Sequence, residues 1–233
     1  MKKNIVIGLF LGIFLARESW ANSDFQSWVG AFLEQPWSQH WSLFGELQNR
    51  TYRNSGTERM LLARVAANYQ ITPRHTLSLG YGWTPTFHPS FLDEHRLWQQ
   101  SLARFSLKDL SFAFRFRLEE RLIGGEGLAW RWREQVRLSY QVSPSFAPVI
   151  WDEFFFNLNK TSHVGFTGFA QNRLFLGARF PISSSWSIEP GYMNVMVRNA
   201  GGAENEMNHV ATLYFFFKGA WEAPKELPIT PAS

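Results

Sequence analysis

Arginine and glutamate alternate with aromatic residues in two neighbouring segments of the chain. Ser111 to Leu122 reads S-F-A-F-R-F-R-L-E-E-R-L, and Ala129 to Val142 reads A-W-R-W-R-E-Q-V-R-L-S-Y-Q-V. Guanidinium groups pair with carboxylates in a planar, bidentate geometry, and unpaired ones attract other anions. The chemistry that these residues offer is therefore an internal lattice of ion pairs or an anion-attracting lining.

The alternation has a period of two, which is the side-chain period of a β-strand. One face of each strand would carry the apolar side chains and the other face the charges. A soluble sheet would bury the apolar face, whereas a membrane β-barrel would turn it towards lipid and line its lumen with the charges. The cellular compartment decides between these two arrangements.

The N-terminus predicts export. Lys2 and Lys3 precede an apolar run from Ile5 to Ala16, and small residues follow before residue 22. This pattern predicts a cleaved secretory signal peptide over residues 1–21, and the run is too short to span a bilayer. An uncleaved anchor is the less favoured alternative.

The remaining chain is predicted to contain one folded domain and a tail. We expect a barrel domain over residues 22–218 and a disordered tail over residues 219–233, where Pro224, Pro228 and Pro231 would interrupt any strand.

Composition supports a barrel and argues against several other classes. The chain has 22 Phe, 11 Trp and 6 Tyr, and a membrane barrel uses aromatic residues in its two interfacial girdles. There is no cysteine for disulfide or thiol chemistry. A net charge of +4 without a basic helix gives no support for a nucleic-acid partner. The histidines lack ligand spacing, so we expect no metal site and no cofactor.

Turn signals divide the domain into ten predicted strands. Short turns predicted near residues 72–74, 108–109, 143–145 and 181–185 alternate with longer loops at residues 84–92, 123–128, 159–167 and 199–206. This alternation is typical of bacterial outer-membrane barrels. The predicted fold class is therefore all-β, an antiparallel up-and-down transmembrane β-barrel of ten strands, with twelve as the alternative. The strands are residues 41–53, 58–71, 75–84, 93–107, 111–122, 129–142, 146–158, 168–180, 186–198 and 207–218.

The segment from Phe25 to Glu34 does not fit an even number of strands. A strand there would begin outside the cell, which a secreted N-terminus reaches only by passing through the lumen. The sequence leaves this segment open between a periplasmic strand and a misread pair of strands.

The residues opposite the apolar band define the predicted lumen, which holds twelve Arg, four Glu and no Lys. The candidate polar network consists of Arg115, Arg117, Glu119, Arg121, Arg131, Arg133, Gln135, Arg137, Glu153, Asn157 and Arg173. The other inward polar residues are Glu46, Gln48, Arg50, Arg64, Asn68, Gln70, Glu94, Arg96, Arg104 and Arg179. An eight-stranded barrel is already filled by side chains, and open channels appear at about 16 strands. A plugged or very narrow lumen is therefore favoured over a general pore.

Three functions remain open from these residues. The first is a small outer-membrane barrel that acts as a narrow channel or as a structural envelope protein. The second is an outer-membrane hydrolase of lipids or esters that uses His88 and Ser90, although this pair lies in a predicted proline-broken loop. The third is a soluble periplasmic binder similar to lipocalins, whose aromatic faces would enclose a ligand. No catalytic residue is assigned, and the chain is not predicted to be an enzyme.

Five short motifs resemble an uncharacterised bacterial family of predicted outer-membrane β-barrel proteins. They are Arg117-Leu118-Glu119-Glu120-Arg121, Arg131-Trp132-Arg133, Glu153-Phe154-Phe155-Phe156-Asn157, Gln171-Asn172-Arg173 with Gly177, and Gly191-Tyr192-Met193-Asn194. The resemblance spans most of the mature chain and implies a bacterial outer-membrane location, but it carries no known activity. The partners expected on this basis are outer-membrane lipid and lipopolysaccharide, the barrel assembly machinery and a small anionic solute.

Overall fold

The computed structural model describes residues 23–52, 58–87, 91–200 and 204–220. These residues form one closed β-barrel of eleven strands. The strands are β1 (Ser23–Pro36), β2 (Trp41–Tyr52), β3 (Glu58–Thr72), β4 (His75–Trp83), β5 (Glu94–Leu107), β6 (Leu110–Ile123), β7 (Glu126–Tyr140), β8 (Ala147–Asn157), β9 (Gly168–Pro181), β10 (Trp186–Val197) and β11 (Glu206–Lys218). Among the described residues, no helix is long and apolar enough to cross a membrane.

The strands follow one another around the barrel, and consecutive strands are antiparallel. The barrel closes between β1 and β11, which run parallel from the pair Ser23 and Met207 to the pair Glu34 and Lys218. An odd number of alternating strands requires one parallel pair of neighbours, and this barrel has it at its closure. The prediction of an all-β, closed antiparallel barrel is confirmed, with this one parallel seam.

The predicted count of ten strands, or of twelve, is wrong because residues 25–34 belong to a full strand, β1. The ten strands predicted from the sequence are all present, with ends shifted by a few residues. β1 lies between β2 and β11 and pairs with both, so the ladder closes through it and no edge is left open. The strand count therefore follows from the ladder partners of β1 and not from the route of the secreted N-terminus.

The barrel has two different ends. At one end, here named the turn end, β3 connects to β4 through residues 73–74 and β5 to β6 through residues 108–109. At the other, the loop end, residues 84–93 and 158–167 form longer connections. Residues 123–128 were expected to form a loop there, but β6 and β7 are joined by Gly124 and Gly125 alone. Both glycines have positive φ, at 60° and 78°, which permits a tight two-residue hairpin turn.

The outer wall of the barrel is apolar over most of its surface. Leu79, at the centre of β4, is 62% exposed, and exposed Val, Leu and Phe side chains continue around the wall. Exposed aromatic residues surround the turn end, including Trp41, which packs on Tyr69 at 4.8 Å, and Trp186, which packs on Phe217 at 4.9 Å. A monomeric water-soluble protein rarely exposes an apolar surface of this extent.

Inward-facing glycines make room for large side chains inside the barrel. A Cβ atom added at Gly177 or Gly191 would lie 2.4 Å from the ring of Phe175, and one added at Gly80 would lie 2.3 Å from Trp98. The aromatic rings therefore lie flat against bare backbone on the inner wall. Phe175 belongs to an apolar cluster on the inner faces of β8–β11 and β1, and charged residues share the same strands.

The predicted signal peptide, residues 1–21, lies outside the described residues. So do residues 221–233, which form most of the predicted tail. Both remain predictions.

Candidate functional site

The charged faces of the strands point into the barrel. All eleven residues of the predicted polar network line the lumen, and their alternation with outward Phe and Trp side chains sets this orientation. Phe114, Phe116 and Val136 are exposed on the outer wall. The alternative of a lipocalin-like cavity enclosed by these aromatic faces is therefore wrong, because the charged side chains occupy the interior instead.

Glu119 is the centre of the network and is 0% exposed. Arg131 donates hydrogen bonds to its Oε2 from Nε, at 2.8 Å, and from Nη2. Arg133 donates from Nη1 to Oε1 at 2.5 Å, and Nη1 of Arg117 lies 3.7 Å from the same oxygen. The strand register brings Arg131 to Glu119, because the two residues are directly opposite each other on β7 and β6.

Arg133 extends the network to a second buried carboxylate. Its Nε and Nη2 atoms donate to Oε1 of Glu153 at 2.9 and 2.7 Å, while Nη2 of Arg115 donates to the same oxygen at 2.6 Å. Across the lumen, Nη1 of Arg64 donates to Oε2 of Glu46 at 3.1 Å. We name this whole group the central plug: Glu46, Arg64, Arg115, Arg117, Glu119, Arg131, Arg133 and Glu153.

Two smaller clusters lie on either side of the central plug. Nearer the loop end, Glu94 receives bidentate hydrogen bonds from Arg96, at 2.6 and 2.9 Å, and further bonds from Arg121, at 2.5 and 3.2 Å. Nearer the turn end, Glu189 is bound by Arg137, at 3.0 and 2.5 Å, and by Arg179. Each cluster joins one carboxylate to two arginines.

Glu189 is a lumen residue that the sequence reasoning missed. Its neighbours on the inward face of β10 are Ser187, Gly191 and Met193, so the strand lacks the run of charges that marked β6 and β7. The available signal was its parity, which is opposite to that of the outward residues Ile188 and Tyr192.

Aromatic rings complete the closure at mid-height. Trp98, Phe155 and Phe175 are fully buried inside the lumen. Arg117 stacks over Trp98 at 4.2 Å, and Arg133 over Phe155 at 4.5 Å. The ion pairs and the rings together occupy the lumen at this level.

A cavity of about 580 Å³ lies between the central plug and the turn end. Ser183, Ser184 and Ser185 of the β9–β10 turn line its mouth, and Trp28, Arg50 and Arg173 lie among its deep lining residues. None of the described loop-end connections lines it. Among the described connections, only the β9–β10 turn at the turn end lines the cavity.

Arg50 and Arg173 differ from the other deep arginines of this cavity. Their Cζ atoms lie over the ring of Trp28, at 3.8 and 5.0 Å from its centroid. Arg50 donates from Nε and Nη2 to Oε1 of Gln48, and Arg173 donates from Nη2 to Oε1 of Gln171. Neither has a carboxylate of the described residues within ion-pair distance, and Nε of Arg173 is buried without a hydrogen-bond partner.

The hydrolase candidates cannot be located in this geometry. His88, Pro89 and Ser90 lie outside the described residues. The nearby Asp93 and His95 are paired at 2.9 Å, and His95 also contacts the hydroxyl of Tyr81 at 2.5 Å on the outer wall. Within the described ranges, no group of three or more His, Cys, Asp and Glu side chains is arranged to hold a metal ion.

Comparisons with solved structures identify other barrels. The NanC porin has a TM-score of 0.50 at 11% identity, covering 79% of this chain and 93% of the porin chain. LpxR from Salmonella typhimurium has a TM-score of 0.48 at 8% identity, covering 75% of this chain and 83% of its own. At such low identity, the likeness to the NanC porin shows the barrel fold alone.

Comparison with known sequences gives a relative and a family. An uncharacterised protein of Methylorubrum extorquens is 26% identical over 185 residues, which are 75% of this chain and 79% of that protein. A family model described as "Protein of unknown function (DUF2490)" matches residues 25–208. The expected membership in an uncharacterised family is thereby confirmed: this chain belongs to the DUF2490 family of proteins of unknown function.

Proposed function

We propose that this protein is a small barrel of the bacterial outer membrane whose lumen is closed, and that it serves as a structural envelope protein rather than as an open porin. The central plug is the observation that carries this proposal. Residues 1–21 would direct export, and the assembly machinery for outer-membrane barrels would insert the domain. The outer wall would then contact lipid and lipopolysaccharide.

The outer wall supports the membrane location. Its apolar side chains have no partner within the chain, and lipid is a medium in which their exposure costs no hydrophobic free energy. The aromatic residues at the turn end match the interfacial girdle of a membrane barrel. A closed β-ladder also provides hydrogen-bond partners for the backbone N–H and C=O groups, which the bilayer core cannot provide.

The central plug supports a closed state. Glu119, Glu153 and Arg133 are almost completely buried and are connected by charge-assisted hydrogen bonds. Opening a path for solute would require these pairs to separate, and breaking a buried pair costs about 3–5 kcal/mol. Several of these ion pairs share a residue, so separating one pair also disturbs its neighbours.

A narrow anion conduit is the second candidate, and the distribution of charge favours it. Nine lumen arginines lie within ion-pair distance of only five glutamates, so the interior carries excess positive charge. Such a lining attracts anions. The cavity at the turn end gives a solute access to part of this lining.

Planar-bilayer recordings separate the two candidates. The purified, folded barrel should show no steady conductance in potassium chloride if the plug is closed. A variant with Glu119→Ala and Glu153→Ala provides the comparison, because it removes both central carboxylates while the barrel wall is unchanged. Steady anion-selective conductance of the wild-type protein would contradict the closed barrel and support the conduit.

Membrane fractionation tests the location. The protein should remain with the outer membrane after washing with high salt and with carbonate, and detergent should extract it. Release into the soluble fraction without detergent would contradict the proposal.

A further inference from the structure

We propose that the Arg50–Arg173 pair beside Trp28 is a binding site for a small organic anion that enters the lumen from the turn end. The ligand class is a molecule with one carboxylate, phosphate or sulfonate group and a compact apolar or ring-shaped body. This inference rests on the proposed closed lumen, because a lumen that the central plug closes can retain such a ligand.

The two guanidinium groups at the deep end of the cavity have no carboxylate of the described residues within ion-pair distance. Arg50 is 6% exposed, and its guanidinium group shares the Trp28 ring with that of Arg173. Two buried like charges without a carboxylate partner are unfavourable, because desolvation and repulsion act together. An anion between them would remove both penalties at once.

The hydrogen-bond donors at this site are directed and partly unused. Gln48 accepts two bonds from Arg50 and thereby fixes the orientation of its guanidinium plane. Arg173 keeps its Nε without a partner, and its only described side-chain acceptor is Gln171, at 3.3 Å. A buried donor without an acceptor is unfavourable, and the oxygen of a bound anion would remove that penalty.

The cavity lining next to the arginine pair suits an apolar body. Trp28 belongs to an apolar cluster with Trp151 and Tyr214, and all three line the cavity. A volume of about 580 Å³ lies within the range of 300–1,000 Å³ that is typical of small-molecule pockets. Pockets of this kind combine an apolar lining with a few oriented polar groups, which is the arrangement here.

The pairing pattern separates this site from the central plug. Arg133 is bonded to two carboxylates, so its role in stability is evident. Arg50 and Arg173 form no ion pair within 4 Å with a described carboxylate, so the contact between their two guanidinium groups in the empty barrel is repulsive. Replacing one of them should therefore lower the stability of the barrel less than replacement of a plug residue.

The test is calorimetric titration of 2-naphthoate into the barrel in an uncharged detergent, with the neutral 2-naphthamide as the matched probe. Naphthoate should bind with one site per barrel, and the amide should bind at least about tenfold more weakly. Arg173→Gln and Arg50→Gln should each weaken naphthoate binding by about tenfold or more. A change of about tenfold is what the loss of one charge-assisted hydrogen bond produces. Arg173→Lys keeps the charge and should retain part of the affinity.

Arg104→Gln is the control variant. Arg104 is exposed, lines the same cavity and is likewise without a described carboxylate partner, so its removal changes the net charge equally. Its effect on naphthoate binding should stay below about threefold, because screening by water weakens an exposed charge. The heat-dependent gel mobility of each variant reports whether the barrel has folded.

Three results would overturn the proposal. They are equal binding of the amide and the acid, an unchanged affinity in folded Arg50→Gln and Arg173→Gln variants, and an effect of Arg104→Gln as large as theirs. The bilayer recording tests the closed lumen, and its result does not depend on whether the binding site exists. A conducting barrel that still binds naphthoate through Arg173 would remove the closed lumen and leave the site, whereas a silent barrel without binding would remove the site alone.

Discussion

Replacing Glu119 by Ala should destabilise the barrel more than any substitution of an exposed carboxylate. The change removes the only carboxylate within ion-pair distance of Arg131 and of Arg117 among the described residues. Arg133 retains Glu153. Two guanidinium groups would thus remain in the lumen without a counter-charge.

The expected loss in free energy of unfolding is about 3–5 kcal/mol, the range measured when one partner of a buried ion pair is removed. The full range applies because the side chain of Glu119 is 0% exposed and that of Arg131 is 12% exposed, so water cannot replace the lost carboxylate. A double variant, Glu119→Ala with Arg131→Met, should recover part of the loss, since it also removes one unpaired charge.

Reversible urea unfolding of the barrel in lipid vesicles, followed by tryptophan fluorescence, gives the free energies. Glu126→Ala is the matched control, because Glu126 is exposed beside the Gly124–Gly125 turn and its replacement should change stability by less than about 0.5 kcal/mol. Equal stabilities of the Glu119→Ala and Glu126→Ala variants would refute the buried network.

Three further predictions use the same unfolding assay. Arg133→Lys should lower stability by about 1–3 kcal/mol, because an ammonium group cannot span two carboxylates with the planar fork of arginine, and an unchanged value would contradict the bridging role. Gly177→Ala should lower stability by about 1–3 kcal/mol, because its Cβ would lie 2.4 Å from Phe175 and 2.6 Å from a backbone oxygen, whereas Gly45→Ala, with its nearest contact at 3.5 Å, should be tolerated. Leu79→Arg should cost about 2–4 kcal/mol in vesicles if the centre of β4 faces the bilayer, and no cost would count against the membrane location.

The inward and outward faces of the strands were predictable because they depend on local periodicity. In β6, each inward charged residue is one position away from an outward Phe or Leu, and the backbone geometry of a strand turns these positions to opposite faces. The same reasoning predicted the inward orientation of Arg131 and Arg133 on β7. It failed for Glu189, where Gly and Met occupy the neighbouring inward positions.

Strand β1 was not predictable in the same way. Trp28 and Phe32 face inward while Val29 and Leu33 face outward, so both faces are apolar and the alternation carries little signal. Its place in the barrel depends on β2 and β11, which lie on either side of it and are separated from each other by most of the chain. The ladder partners, rather than the local sequence, define this strand.

The sequence by itself determined that the chain forms a β-barrel with an apolar outside and an arginine-rich inside, because alternation along a strand is a local property. Only the tertiary structure decided which charges meet. Glu119 and Glu153 share Arg133 because the register of three adjacent strands brings them together, and Arg50 and Arg173 meet at Trp28 because the barrel closes through β1. Charge balance depends on these distances, which no single strand specifies.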